Sequence, residues 1–129
     1  MDELIAALET AREGSAALDE ALFLSVMAGQ GWRRDPSGRG LIRSCRVCDG
    51  EIVESADVPP WTRCPDAAMT LLPQGVTMTV ERDGGGCSAQ ARCQREGRWV
   101  SVAEVRRGDD RAALAVCAVA LKARAALRA

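Results

Sequence analysis

The stretch VTMTVERDGGGCSAQARCQREGRWVSVAEV, residues 76–105, decides the fold class. Val76 to Val80 alternates and is rich in β-branched residues, the pattern of a half-buried strand. Asp83-Gly84-Gly85-Gly86 is a turn. The runs Cys87 to Cys93 and Arg98 to Val105 alternate in the same way, so three strands follow one another in hairpins. Strands joined as hairpins form an antiparallel sheet.

Helical patterns lie on both sides of this stretch. Downstream, Asp109 or Asp110 caps an Ala-rich helix that runs to the C-terminus, with Leu114, Cys117, Leu121 and Ala125 along one side. Upstream, Asp66 to Leu72 reads as a short helix stopped by Pro73 and Gly75. Near the N-terminus, Leu4, Ile5, Leu8 and Ala11 form a helical stripe over Asp2 to Glu13, and Gly14 stops it. Ser15 caps a second helix with Leu18, Ala21, Leu22, Ser25 and Val26 on one face, and Phe23 and Met27 beside it. Gly29 and Gly31 end that helix. Trp32 to Arg34 and Leu41 to Arg43 then form a short hairpin about a Pro-Ser-Gly turn.

The predicted order is α-α-β-β-loop-α-β-β-β-α. It defines one α+β domain over residues 1–129, a mainly antiparallel sheet with helices packed on it in an αβα-type sandwich. A cysteine-containing loop insert occupies about residues 44–64, and Pro59-Pro60 closes it.

Three segments carry a resemblance: LDEALFLSVMAGQGWRR (18–34), PPWTRCPDAAMTLLPQG (59–75) and AALAVCAVALKARAAL (112–127). They resemble the small phage and prophage proteins of the "phage ABA sandwich" family. In that family a Leu-Asp helix runs into a Gly-Trp strand, a Pro-rich approach precedes an Asp-Ala-Ala helix, and an Ala-Leu-Ala-x-Cys helix closes the domain. The resemblance implies a phage or prophage gene and an αβα-layered domain, and it carries no known activity. It also places Cys117 inside the terminal apolar helix. The family usually has a short Trp- and Pro-containing loop where this chain has the Cys45 and Cys48 insert, so it says nothing about metal.

The bulk composition excludes several function classes. With 17 basic and 18 acidic residues the net charge is −1, which leaves no global field to attract nucleic acid or an anionic membrane. No apolar stretch approaches a membrane span, and MDELIAALETAREG is acidic and amphipathic where a signal peptide would be basic and then apolar. A cytoplasmic location is expected. There, 6 cysteines read as small core residues, metal ligands or reactive groups before they read as disulfides.

The insert offers the one candidate metal site. Cys45-x-x-Cys48 reverses the chain over two sulfurs, Asp49-Gly50 permits the tight turn, and Cys64 supplies a third thiolate for Zn²⁺. The chain has 0 histidines, so a fourth ligand would come from Asp66, Cys87, Cys93 or an acid of the loop. The plainer reading is a loop of reduced thiols in which Cys64 merely starts the short helix. Cys87, Cys93 and Cys117 read as core residues.

Catalytic patterns are missing. A nucleophilic Cys needs a base, most often His, and Asp49-Gly50 breaks the helix that a redox Cys-x-x-Cys would open. Glu51, Glu54, Asp57 and Asp66 are explained by solvation, and the glycines at 84–86 lead into a strand without the Lys of a phosphate loop. The expectation is a non-catalytic accessory protein that docks on a host or phage protein, in one version an inhibitor of a host defence complex. Trp61, Arg43 and Arg46 are the candidate partner-binding residues, with Trp61 either a lid on the local core or an exposed contact. Trp32 and Trp99 are expected to pack beneath the helices. The alternative is a zinc-stabilised nucleic-acid-binding module using Trp32, Arg33, Arg34, Arg39 and Arg43, with Arg46 nearby, where arginines meet phosphates beside a stacking ring.

Overall fold

A computed structural model describes residues 2–38, 40–47 and 50–128, with backbone alone at 45–47. In chain order the elements are α1 (Asp2–Thr10), α2 (Ala16–Val26), β1 (Arg33–Arg34), β2 (Leu41–Val47), β3 (Gly50–Ser55), α3 (Pro65–Met69), β4 (Val76–Asp83), β5 (Gly86–Arg95), β6 (Arg98–Arg107) and α4 (Ala112–Arg128). Strands β1-β2-β3 form one antiparallel sheet and β4-β5-β6 a second. The α+β class and the order of helices and strands are those expected, with one addition. Residues read as an open loop continue β2 to Val47 and return as β3, Cys45 pairing with Ile52 and Ser44 with Val53. Runs such as Gly50–Ser55 carry too little alternation to announce a strand on their own.

The centre of the molecule is α4, which packs on β5 and β6 and against α1 and α3. Every residue from Ala112 to Leu121 is buried, and Ala123 with them. Reading one apolar side for this helix therefore understates it. AALAVCAVAL has no polar residue, and a helix apolar all round is a buried one. Ala125, placed on the apolar side by periodicity, is exposed instead. The facing positions of β5 are Cys87, Ala89, Ala91 and Cys93, all buried, so small side chains on helix and sheet let the two backbones approach closely.

Local chemistry explains where the helices end. Ser15 Oγ accepts from Leu18 N–H at 3.1 Å and caps α2. Helix α1 stops at Thr10, short of the predicted Glu13, because the Arg107 guanidinium takes over its last carbonyls. It donates to Leu8 O at 2.8 Å, to Glu9 O at 2.9 Å and to Ala11 O. Arg107 is 6 % exposed and is also clamped by both carboxylate oxygens of Asp109, at 2.8 and 2.9 Å. Asp109 further accepts at 3.2 Å from the N–H of Arg111, the residue just ahead of α4, so it bridges β6 to the start of the helix. Helix α3 is shorter than its predicted range because residues 70–72 tighten into three-residue turns, with N–H groups bonding Ala67, Ala68 and Met69 carbonyls.

Two outcomes test this packing. Ala118 and Ala120 lie about 200° apart around α4, so a helix with one buried face would tolerate a large residue at one of them. Ala118→Leu and Ala120→Leu are both expected to cost about 1–3 kcal/mol by overpacking, measured by denaturant unfolding, while Ala125→Leu stays within about 0.5 kcal/mol. Arg107→Met, which keeps the stem and removes the donors, is expected to lower stability by about 3 kcal/mol in the same assay, because it strips the α1 carbonyls and Asp109 of their partner.

Candidate functional site

The segment after Pro59-Pro60 is held to α2 by a buried carboxylate that sequence reasoning did not single out. Asp19 Oδ1 accepts from Thr62 N–H and Thr62 Oγ–H, each at 2.7 Å. Its Oδ2 accepts from Arg63 Nε at 3.1 Å and Nη2 at 2.8 Å. Thr62 Oγ1 in turn accepts from Ser15 N–H at 3.0 Å. Gly14 passes so close that a Cβ there would overlap the Thr62 carbonyl. An Asp one turn into an amphipathic helix normally reads as a solvated position, which is why this one gave no signal. The Asp19 carboxylate and the Thr62 donors are mutually satisfied, so the cluster is a fastening of α2 to this segment.

Trp61 is the lid. It is 5 % exposed, its Nε1–H donates to Thr70 Oγ1 at 3.1 Å, and its ring lies over Phe23 with centroids 6.2 Å apart. Of the two readings of Trp61, lid or exposed contact, the structure has the lid, the indole being folded inward after the Pro59-Pro60 turn. Cys117 lies beneath it, with Sγ–H donating to Trp61 O at 3.2 Å. Burial, with the Asp19 charge nearby, pushes this thiol up to about 12, so it stays protonated and inert at neutral pH.

Phe23 also meets Trp32 edge-on, centroids 5.3 Å apart, and the Arg43 guanidinium stacks over Trp32 at 4.5 Å. Arg43 Nε then pairs with Glu54 Oε2 at 2.8 Å, directly across the β2–β3 ladder. Trp61, Phe23, Trp32, Arg43 and Glu54 thus form a continuous stack from the core to the arm made by β2 and β3. Three residues of the phosphate-binding reading, Trp32, Arg34 and Arg43, thus make contacts within the protein. Trp32 carries the Arg43 guanidinium over its ring, Arg43 pairs with Glu54, and Arg34 pairs with Glu20 at 3.0 Å. Arg33 remains exposed. Arg39 and the side chain of Arg46 lie outside the described residues.

The thiols fall into two groups. Cys87 and Cys93 are buried on the inner face of β5, as expected of core residues, and burial raises the Cys87 thiol. Cys64 precedes α3 at its N-cap position and is half-buried, with no side-chain capping bond. Cys45 contributes backbone to β2, four residues and about 13 Å past Leu41, where the arm leaves the core. Cys48 and the side chain of Cys45 lie outside the described residues. Among the described residues no three Cys, Asp or Glu side chains converge as metal ligands.

Among the described residues the large exposed apolar side chains are Ile52, Val53, Met69, Val80, Trp99 and Leu127. Ile52 and Val53, on the arm, are 49 % and 58 % exposed. Met69 and Val80 line a groove together with Asp66, Arg82 and the α4 residues Ala112 and Val116. Trp99 stands 54 % exposed on the outer face of β6, against the expectation that it packs under a helix. It pairs with Gln94, and the adjacent pair Cys93 and Val100 faces inward, so Trp99 stands on the side of the sheet away from the core. No helix among the described residues is long and apolar enough to cross a membrane. No family model matches the chain, and neither a curated protein nor a solved structure matches it.

Two measurements check the fastenings. Asp19→Ala is expected to cost about 3 kcal/mol, since it leaves the Thr62 donors unmet, whereas Asp19→Asn keeps one acceptor and costs nearer 1 kcal/mol. Asp109 is held down to about 2 by its bond with Arg107. A depressed folded-state value stabilises above the ordinary Asp range and is lost as pH falls toward 2. Stability followed from pH 5 to pH 2 should therefore drop, and Asp109→Asn should flatten that part of the profile.

Proposed function

We propose that the protein acts by binding a protein partner, not by catalysis, and that the β2–β3 arm is the surface it presents. One observation carries this reading: Ile52 and Val53 are adjacent on an edge strand, so they project to opposite faces, and both are half-exposed or more. A ribbon of two or three strands with apolar groups uncovered on each face is marginal in water alone and is stabilised by being covered. As an edge, β3 also offers backbone donors and acceptors to an added strand, a common mode of peptide recognition. The aromatic and Arg43 stack gives the arm a rigid root, so little order has to be created on binding.

The thiols support binding over chemistry, because burial holds Cys87 and Cys117 in the protonated state. The resemblance to phage sandwich proteins makes a host or phage protein in the host cytoplasm the partner class of choice, and a host defence complex the specific target. A Zn²⁺ ion held by Cys45, Cys48 and Cys64 would clip the arm to the start of α3 and order it further. Elemental analysis of untagged protein tests this: about one zinc per chain, with thiols freed by chelator, supports the clip, and a metal-free protein of unchanged stability removes it.

A photo-crosslinking residue placed at Val53, in cells producing the protein, is expected to give one discrete protein adduct. The same residue at Glu3, an exposed position of α1, should give none. Introducing Ile52→Asp should abolish the Val53 adduct while leaving the melting temperature within a few degrees. Absence of an adduct at Val53, or identical adducts from both positions, removes the arm as the binding surface.

A further inference from the structure

We infer a second binding surface, separate from the β2–β3 arm, at the free edge of β4: it takes an extended peptide strand whose inward side chains are apolar and which carries a Lys or Arg opposite Glu81. Strand β4 is an edge strand of 8 residues in unbroken register with β5. The opposite edge, β6, carries a bulge, Val102 being passed over between the pairs Ala91–Ala103 and Arg92–Ser101. Bulges, prolines and charges blunt an edge, and β4 has none of them from Val76 to Val80. Main-chain bonds to β5 alternate along β4. The two-residue turn Gly84-Gly85 is closed by the Asp83–Gly86 pair, so the odd-numbered residues bond β5, and Met78, Val80 and Arg82 turn their main-chain groups to the free edge. Val76 has the same parity, and its N–H leaves the sheet to meet Pro73 O at 3.2 Å. Among the described residues nothing is bonded to the edge at Met78, Val80 or Arg82.

The groove of about 480 Å³ lies against this edge on the inner face of the sheet, because Val80 and Arg82 pair with the inward-facing Ala89 and Cys87. Met69 and Val80, 39 % and 38 % exposed, line it with Ala112 and Val116 of α4. Side chains of an added strand alternate between the two faces of the sheet, so every second one enters the groove. Asp66 and Arg82 line it with opposite charges and leave it neutral, which suits apolar side chains there. The outer face differs. Its β4 row is Thr77, Thr79, Glu81 and Asp83, and Asp83 pairs with Arg106 at 2.8 Å, whereas Glu81 makes no ion pair among the described residues. Opposite charges facing each other across a ladder attract and like charges repel, so a base opposite Glu81 is the complement. A second copy of β4 does not supply it. Antiparallel self-pairing with the two faces matched sets Glu81 against another residue of its own row, and none of these is basic.

The test is an NMR titration of the isotope-labelled whole chain with a synthetic peptide of about 10 residues that carries Lys-Ile-Thr-Ile at its centre. Antiparallel pairing sets its Lys opposite Glu81 and its isoleucines opposite Val80 and Met78. Amides of Met78, Val80 and Arg82 are expected to shift and to exchange more slowly with solvent, while Thr77, Thr79 and Glu81 keep their exchange rates. Methylating the two isoleucine N–H groups of the peptide should abolish binding, and methylating that of its Thr should not. Val80→Asp, on the groove wall, should lower affinity about tenfold. Glu81→Lys should lower it about threefold for this peptide and raise it by as much for one with Glu in place of Lys. No change at these amides with about 1 mM peptide overturns the inference. So does equal affinity for the Lys and Glu peptides in the unaltered chain. Slow exchange of the three amides in the free chain, lost on dilution, would give the edge to a second copy and overturn the assignment to a peptide partner.

Discussion

A helix without a solvent face is the constraint on which the rest of this structure depends. From Ala112 to Leu121, α4 is covered all round, by the sheet of β4, β5 and β6 and by α1 and α3. No polar side chain can be placed there without stranding it, and no large one without separating the layers. The composition of the helix follows from this, as does that of β5, whose inward positions are only Ala and Cys. Cysteine serves here as a small apolar residue. This accounts for Cys87, Cys93 and Cys117 without any redox or metal role.

Small residues pack closely but bury modest area each, so the elements around α4 are also fastened by charge. Arg107 ties the end of α1 to β6 and, through Asp109, to the start of α4. Asp19 ties α2 to the turn that carries Trp61. Both are buried ions whose hydrogen-bonding capacity is met, and breaking either would cost more than the pair itself contributes. They fix register among layers that Ala-on-Ala contacts alone would specify weakly.

The class, the strands of the second half and the cap at Ser15 were legible because alternation and capping are local signals. So was the core position of Cys117. What escaped the sequence was long-range. Asp19 and Arg107 look like surface charges until the partners 43 and 99 residues away are brought to them. Trp61 could be lid or contact, and only the Thr70 and Phe23 contacts decide for the lid. Trp99 was assigned to the core because aromatic residues in strands usually pack, yet its parity with Gln94 puts it on the open face. The all-round burial of α4 was readable from AALAVCAVAL, but a four-residue stripe hid it. As for the site, Arg43 proved to belong to the root of the arm. The apolar pair Ile52 and Val53, within a segment that looked like a loop, emerged only with the strand pairing.

The molecule divides into a closely packed body built on α4 and an arm whose root is the aromatic stack and Leu41. Hydrogen exchange on the free chain tests that division most directly. Amides of α4 and β5 should exchange only through global unfolding, while those of Ile52 to Glu54 exchange by local opening at rates insensitive to mild denaturant. Arm amides as slow as those of α4, rising with denaturant along the same line, would contradict it. They would make the arm part of the cooperative core, not a surface presented by it.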